Sequence, residues 1–254
     1  LTRLGMDLSV LNAEPDGFNI NAQCGSTHME GLQAAVLARQ ADIGLAFDGD
    51  ADRCLAVDEK GQLVDGDQIM VILANELLQR NALKQLTLAT TVMSNIGLHQ
   101  AIKNAGGQVM VTSVGDRYVL EAMQKNGLSL GGEQSGHIIF GEYSTTGDGL
   151  MTALQLLAAL KRSGKTLSHL GGLMTRFPQV LVNVRVNSKA GWETNAKITA
   201  AVQVAEQQLG DMGRILVRAS GTEPLIRVMA EGPELAELQQ LAEQVAQVIR
   251  GELN

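Results

Sequence analysis

The sequence predicts an α/β fold of strand–helix units followed by a small α+β C-terminal domain. Short apolar runs alternate with helical patterns from Asp42 to Lys161, the signature of α/β units. After Pro178 the order changes to strand, helix, two strands and helix. The interior must be aliphatic, because hydrophobic residues make up 45% of the 254 residues and aromatics only 3%.

Taken in order, Leu8 to Leu11 is an apparent strand and His28 to Gln40 an amphipathic helix with Leu32, Ala35 and Val36 inward. Asp42 to Phe47 and Cys54 to Val57 are buried strands, and a turn at Glu59–Gln62 leads to Leu63–Val64. A helix carries Ile69, Ile72, Leu73, Leu77 and Leu78 at helical spacing. Leu86–Thr91 is a strand, and Leu98–Asn104 is a helix that Gly106-Gly107 ends with a left-handed cap. Strand Gln108–Thr112 and helix Arg117–Lys125 follow. Leu128–Leu130 and Ile138–Phe140 then bracket a glycine-rich loop before a strongly apolar helix, Gly149–Lys161. The less regular stretch Gly164–Phe177 is a boundary. Beyond it come strand Val180–Val186, helix Trp192–Leu209, strands Arg214–Val217 and Leu225–Ala230, and helix Pro233–Arg250.

The net charge of −7 argues against nucleic acid as a partner, since phosphate backbones demand a basic face. It leaves room for a small anion held by a few local cations. No run of about 18 apolar residues exists, so no membrane span is expected. Cys24 and Cys54 form no C-x-x-C pair, which makes a zinc site or disulfide framework unexpected and a reducing cytoplasm the default. Leu1–Gly5 has no signal-peptide layout and no initiating Met, so the chain is expected to be a fragment of something longer.

Three constellations carry chemistry. The first is Phe47-Asp48-Gly49-Asp50-Ala51-Asp52-Arg53, three carboxylates at i, i+2 and i+4 after an apolar strand. On a tight loop they converge, repel one another, and favour a hard dication with oxygen ligands. A solvated acidic turn is the bland alternative. An EF-hand would use Asp48, Asp50, Asp52 and Glu59, but Arg53 stands where that turn wants glycine and the flanks are strand-like. A phosphatase with Asp48 as nucleophile fits the strand-Asp-x-Asp order and stays open.

The second constellation is Gly131-Gly132-Glu133-Gln134-Ser135-Gly136-His137. Glu133 and Ser135, two apart in an extended loop, suit hydrogen bonds to two sugar hydroxyls. His137 is a candidate proton donor or acceptor. A hairpin with incidental polar residues is the alternative. The third is Arg218-Ala219-Ser220-Gly221-Thr222-Glu223-Pro224-Leu225-Ile226-Arg227. Ser220, Gly221 and Thr222 offer backbone N–H groups and hydroxyls as an anion nest, and Arg218 and Arg227 flank it with forks that fit phosphate. The alternative is a surface hairpin with a salt bridge to Glu223. His28, His99 and His169 are expected to be structural or surface residues.

These three motifs in this order resemble the α-D-phosphohexomutase family over essentially the whole chain. The aspartate loop is similar to its Mg²⁺ loop (Asp48, Asp50, Asp52), Gly132–His137 to its sugar-binding loop, and Arg218–Arg227 to its phosphate-binding loop. Gly17–Asn21, Cys24–His28 and Gln134 are most similar to members acting on glucosamine phosphates, and Val114-Gly115-Asp116-Arg117 resembles their substrate-contacting turn. The resemblance implies mixed-sheet α/β units of phosphohexomutase type: 1–64 as the end of the second of four domains, 65–173 as the third, and 178–254 as the last. It implies interconversion of glucosamine 6-phosphate and glucosamine 1-phosphate through a phosphoserine and a bisphosphate. Arg53 and His137 are then the candidates for proton transfer or charge stabilisation. No Thr/Ser-Ala-Ser-His-Asn-Pro-like loop occurs here, so the isolated chain is expected to bind a phosphosugar without turning it over. Mutases of glucose or mannose phosphates, a Mg²⁺-dependent phosphatase, and a non-catalytic phosphosugar- or Ca²⁺-binding module are the alternatives.

Overall fold

A computed structural model describes residues 1–221 and 223–254. The chain divides into two compact units, one of Leu1–Ser94 with Leu98–Thr175 and one of Asn95–Gly97 with Arg176–Asn254.

The first unit starts irregularly. Leu8–Leu11, expected as a strand, forms none: Leu8, Val10 and Leu11 are exposed, and no neighbouring strand pairs with them. Helix α1 (Glu30–Arg39) buries Val36, and Gln40 ends it with φ 51°. Strands β1 (Ile43–Phe47), β2 (Cys54–Asp58) and β3 (Leu63–Val64) form an antiparallel sheet in that order. Helix α2 (Gly66–Gln79) opens with a capping box, in which Asp65 accepts from the Gln68 N–H and Gln68 returns to the Asp65 N–H. Its Ile69, Met70 and Ile72 join the core.

A second, mixed sheet has the order β5-β4-β6-β7, built from β4 (Thr87–Thr91), β5 (Gln108–Thr112), β6 (Leu130–Gly132) and β7 (Ile138–Phe140). β4 runs parallel to β5 and β6, and β7 returns antiparallel to β6. Helices α3 (Ile96–Asn104) and α4 (Asp116–Asn126) make the crossovers that parallel pairing demands. Gly106, with φ 85°, follows α3 as expected. Helix α5 (Gly149–Ser163) is capped by the Asp148 carboxylate, and a five-residue helix α6 (Leu167–Gly171) lies in the stretch expected to be less regular.

The second unit is a three-stranded antiparallel sheet, β8 (Gln179–Arg185), β10 (Leu225–Glu231) and β9 (Arg214–Ala219), with β10 central. Ile226, Val228 and Ala230 alternate onto one face, where Leu238, Leu241, Val245 and Ile249 of α8 (Leu235–Leu253) cover them. The helix expected from Trp192 starts only at Ala196 (α7, Ala196–Leu209), because the Asn195 side chain accepts from the Lys197 and Ile198 N–H groups. Among the described residues no helix is long and apolar enough to cross a membrane.

Candidate functional site

The acidic motif is the loop of the β1–β2 hairpin, which the Phe47↔Cys54 pair closes. Ala51 takes φ 58°, and its N–H bonds the Asp48 carbonyl at 3.1 Å. The Arg53 N–H donates to Asp48 Oδ1 at 3.1 Å. This tight path brings oxygens of Asp48, Asp50 and Asp52 within 4.8 Å of one another. The flanks are paired strands, which rules out the helix–loop–helix of an EF-hand. Glu59, the would-be twelfth ligand, instead accepts bonds from the Ser168 N–H and hydroxyl.

Neighbouring backbone fixes the loop from two sides. The Gly149 N–H donates to the Ala51 carbonyl at 2.9 Å, and the Cys54 N–H to the Gly136 carbonyl at 3.1 Å. The Gly66 N–H donates to the Gln134 carbonyl at 3.1 Å. These contacts leave no room for side chains. A Cβ on Gly149 would lie 2.4 Å from the Arg53 carbonyl oxygen, one on Gly136 2.4 Å from that of Cys54, and one on Gly66 2.4 Å from that of Glu133. An isolated bridge between Arg53 and His137 stitches the acidic loop to the glycine-rich one.

His137 is buried, and both its ring nitrogens are engaged. Nε2 accepts the Gly147 N–H at 3.0 Å, so the proton sits on Nδ1, which donates to Asp52 Oδ2 at 2.9 Å. The imidazole therefore meets Asp52, not a ligand. Asp52 Oδ1 is buried without a hydrogen-bond partner and lies 3.8 Å from Arg53 Nε. Arg53 Nε is also 3.5 Å from Asp48 Oδ2, so one guanidinium lies against two of the three carboxylates. An acceptor-only cluster with one buried orphan oxygen fits a hard cation. Cys54 beneath the loop is no ligand: burial pushes its thiol up to about 12.

The glycine-rich loop connects β6 and β7, with Gly132 already in β6. Glu133 Oε1 accepts the Gly115 N–H at 3.0 Å, tying this loop to the turn that starts α4. Ser135 Oγ is buried and unpartnered. Asp116 is exposed in the first turn of α4. Arg117 is exposed too; its Nε meets Glu121 at 2.7 Å, and that hydrogen bond raises the guanidinium pKa.

In the second unit Arg218 and Arg227 are direct cross-strand partners, opposite the face that α8 covers. Burial, and then the neighbouring Arg227, lower the pKa of Arg218. Two cations side by side call for an anion. Arg227 also reaches Glu223 at 3.1 Å, so the surface salt bridge forms as well, and its Nε is buried without a partner. Ser220 is buried, with Oγ accepting the Glu223 N–H at 3.3 Å, and Gly221 is exposed. Thr222 lies outside the described residues. Sequence reasoning missed Gly147, whose N–H fixes the His137 tautomer, and Lys189, whose Nζ donates to the Ser220 and Glu223 carbonyls. Neither stands in a recognisable motif.

These features define an α/β protein with an acidic hairpin suited to a hard cation and, separately, a paired-arginine turn suited to an anion. Residues 65–177 match the family described as phosphoglucomutase/phosphomannomutase, alpha/beta/alpha domain III, and residues 181–248 match its C-terminal domain. The chain belongs to the phosphoglucomutase/phosphomannomutase family. Over its whole length it is 59% identical to a phosphoglucosamine mutase of Symbiobacterium thermophilum and 54% identical to one of Alkaliphilus metalliredigens. In both cases the chain spans 57% of the relative's length. An N-acetylphosphoglucosamine mutase of Aspergillus fumigatus, in complex with GlcNAc-6P and magnesium, superposes with a TM-score of 0.76 at 25% identity. That match covers 92% of this chain and 54% of the fungal one.

Proposed function

We propose that the chain is the cation- and phosphosugar-binding portion of a phosphoglucosamine mutase, which interconverts glucosamine 6-phosphate and glucosamine 1-phosphate. Residues 1–64 would then be the end of a second domain, 65–173 the third and 178–254 the last. The observation that carries the reading is the fixed Asp48–Asp50–Asp52 cluster, stitched through Arg53 and His137 to the Glu133–Ser135 loop. The substrate rests on the relatives, whose match to this chain covers its whole length.

Asp48, Asp50 and Asp52 would hold a Mg²⁺ ion, which supplies charge neutralisation to a transferring phosphoryl group. The chain's own residues prepare that step. His137 holds Asp52 in one rotamer, and Arg53 carries positive charge to the edge of the cluster. Glu133 and Ser135 read hydroxyls of the hexose, and Asp116 and Arg117 contact the substrate. Arg218, Ser220, Gly221, Thr222 and Arg227 hold the phosphate that is not reacting, which turns binding energy into orientation. The phosphoryl donor is a phosphoserine on a part of the protein outside this chain, working in the cytoplasm.

The test has two arms. The isolated chain should bind glucosamine 6-phosphate in the presence of Mg²⁺ and release no inorganic phosphate. The longer protein, primed with a hexose bisphosphate, should interconvert glucosamine phosphates. Turnover restricted to glucose or mannose phosphates would overturn the substrate and leave the family intact. Phosphate release by the isolated chain would favour the phosphatase alternative, and much tighter Ca²⁺ than Mg²⁺ binding the non-catalytic one.

A further inference from the structure

We propose that Lys189 is a positioning residue for the Arg218–Arg227 turn: it pins the Ser220–Gly221 peptide, and so aims and polarises the Gly221 N–H as a phosphate donor. This deepens the proposed reading of that turn and rests on it.

Lys189 follows β8 and is half-buried. Its Nζ donates to the Ser220 carbonyl at 2.6 Å and to the Glu223 carbonyl at 3.1 Å, so one ammonium ties both ends of the turn. Among the described residues no peptide bond is cis. In a planar trans peptide the C=O and the following N–H point in opposite directions. A Ser220 carbonyl held against Lys189 therefore sends the Gly221 N–H out of the opposite side of the turn. An ammonium on the carbonyl oxygen also draws electron density through the amide, which strengthens that N–H as a donor.

Among the described residues of the turn, the flanking amides are spent inside it. The Ser220 N–H donates to the Leu225 carbonyl at 2.8 Å, the Glu223 N–H to Ser220 Oγ at 3.3 Å, and Pro224 has none. Gly221 is exposed and suits this task, because a Cβ there would meet nothing within 4 Å and the site stays open. Lys189 thus acts through the peptide, while Arg218 and Arg227 supply the forks.

The probe is inorganic phosphate titrated into this chain, followed by calorimetry and by the Gly221 amide resonance. Lys189→Met should weaken binding about tenfold, the worth of a hydrogen bond to a charged group. The Gly221 amide should move on titration in the native chain and much less in the variant. Lys189→Arg, which keeps the charge and two donors, should recover most of the affinity. Arg218→Ala separates the two levels of argument. If it weakens binding while Lys189→Met leaves affinity and the Gly221 shift unchanged, the Lys189 proposal falls and the phosphate turn stands. If neither change matters, the turn binds no phosphate and both readings fall. Should Lys189→Met not fold, Lys189→Arg decides: near-native affinity supports the proposal, and a loss as deep as that of Arg218→Ala in a folded chain overturns it.

Discussion

The acidic hairpin and the arginine turn solve opposite electrostatic problems with different materials. The hairpin holds three carboxylates together chiefly by backbone: Gly66, Gly136 and Gly149 let main chains touch through N–H···O=C bonds, and the Arg53 N–H and His137 then fix the Asp48 and Asp52 carboxylates. The arginine turn sets two guanidiniums side by side by strand register, and two side chains, Lys189 and Ser220, join its backbone bonds as struts. Like charges at a cation site must sit at fixed distances, because a small hard ion tolerates little error in ligand position. Guanidinium forks tolerate more, since phosphate offers several equivalent oxygens. Rigidity is therefore concentrated where the geometry is demanding.

The sharpest way to break this contrast is one added methyl in each region. Gly136→Ala places a Cβ 2.4 Å from a backbone oxygen at φ 91°, where nothing flexible can yield. Overpacking and left-handed strain together should cost about 3 kcal/mol or more. Gly221→Ala meets open space and should change stability by about 0.5 kcal/mol at most. Urea unfolding of the two variants measures both. Equal losses would show that the hairpin is no stiffer than the turn.

A smaller effect tests how the hairpin is tuned. His137→Phe keeps a flat ring, slightly larger, but removes the Nδ1–H that orients Asp52 and the Nε2 that accepts the Gly147 N–H. Loss of such an outer partner should weaken Mg²⁺ binding about tenfold to a hundredfold. Asp52→Asn, which alters the ligand itself, should do at least as much. Calorimetric titration of both variants decides it; unchanged Mg²⁺ affinity in His137→Phe would mean that Asp52 is held by its own backbone.

Much of this was legible in sequence, for reasons particular to each element. Three aspartates at alternate positions can converge only on a tight loop, so their clustering followed from spacing. The arginines could be paired because one short turn separates their strands. Leu8–Leu11 misled because apolar content does not supply a pairing partner. The helix α6 was missed although Thr166 is a good cap and Leu167 and Leu170 share a face, because five residues are too few for a periodic signal. The sequence marks His137 as a candidate proton donor or acceptor but cannot name its partners, because Asp52 and the Gly147 N–H lie 85 and 10 residues away. Sheet order is likewise long-range: no local pattern says that β4 lies between β5 and β6.

The smallest effect lies away from both sites and tests whether the hairpin sheet is braced from behind. Glu59 follows β2 and receives the Ser168 N–H at 3.1 Å, at the start of α6. Burial raises its pKa, but bonds from Ser168, its own N–H and Thr166 outweigh that and hold the carboxyl down at about 2, against 4.5 for the free group. A folded pKa below the unfolded one means that the unfolded chain takes up the proton first as pH falls. The stabilisation is therefore complete above about pH 4.5 and drains away between there and about 2. Glu59 is only half-buried, so water screens the interaction and its worth is about 1 kcal/mol. The stability gap between the native chain and Glu59→Gln should be constant near neutrality and narrow as the solution is acidified below about pH 4.5. A gap that stays level across that range would mean that the Ser168 bonds hold neutral and charged carboxyl alike, and that α6 braces the sheet by packing alone.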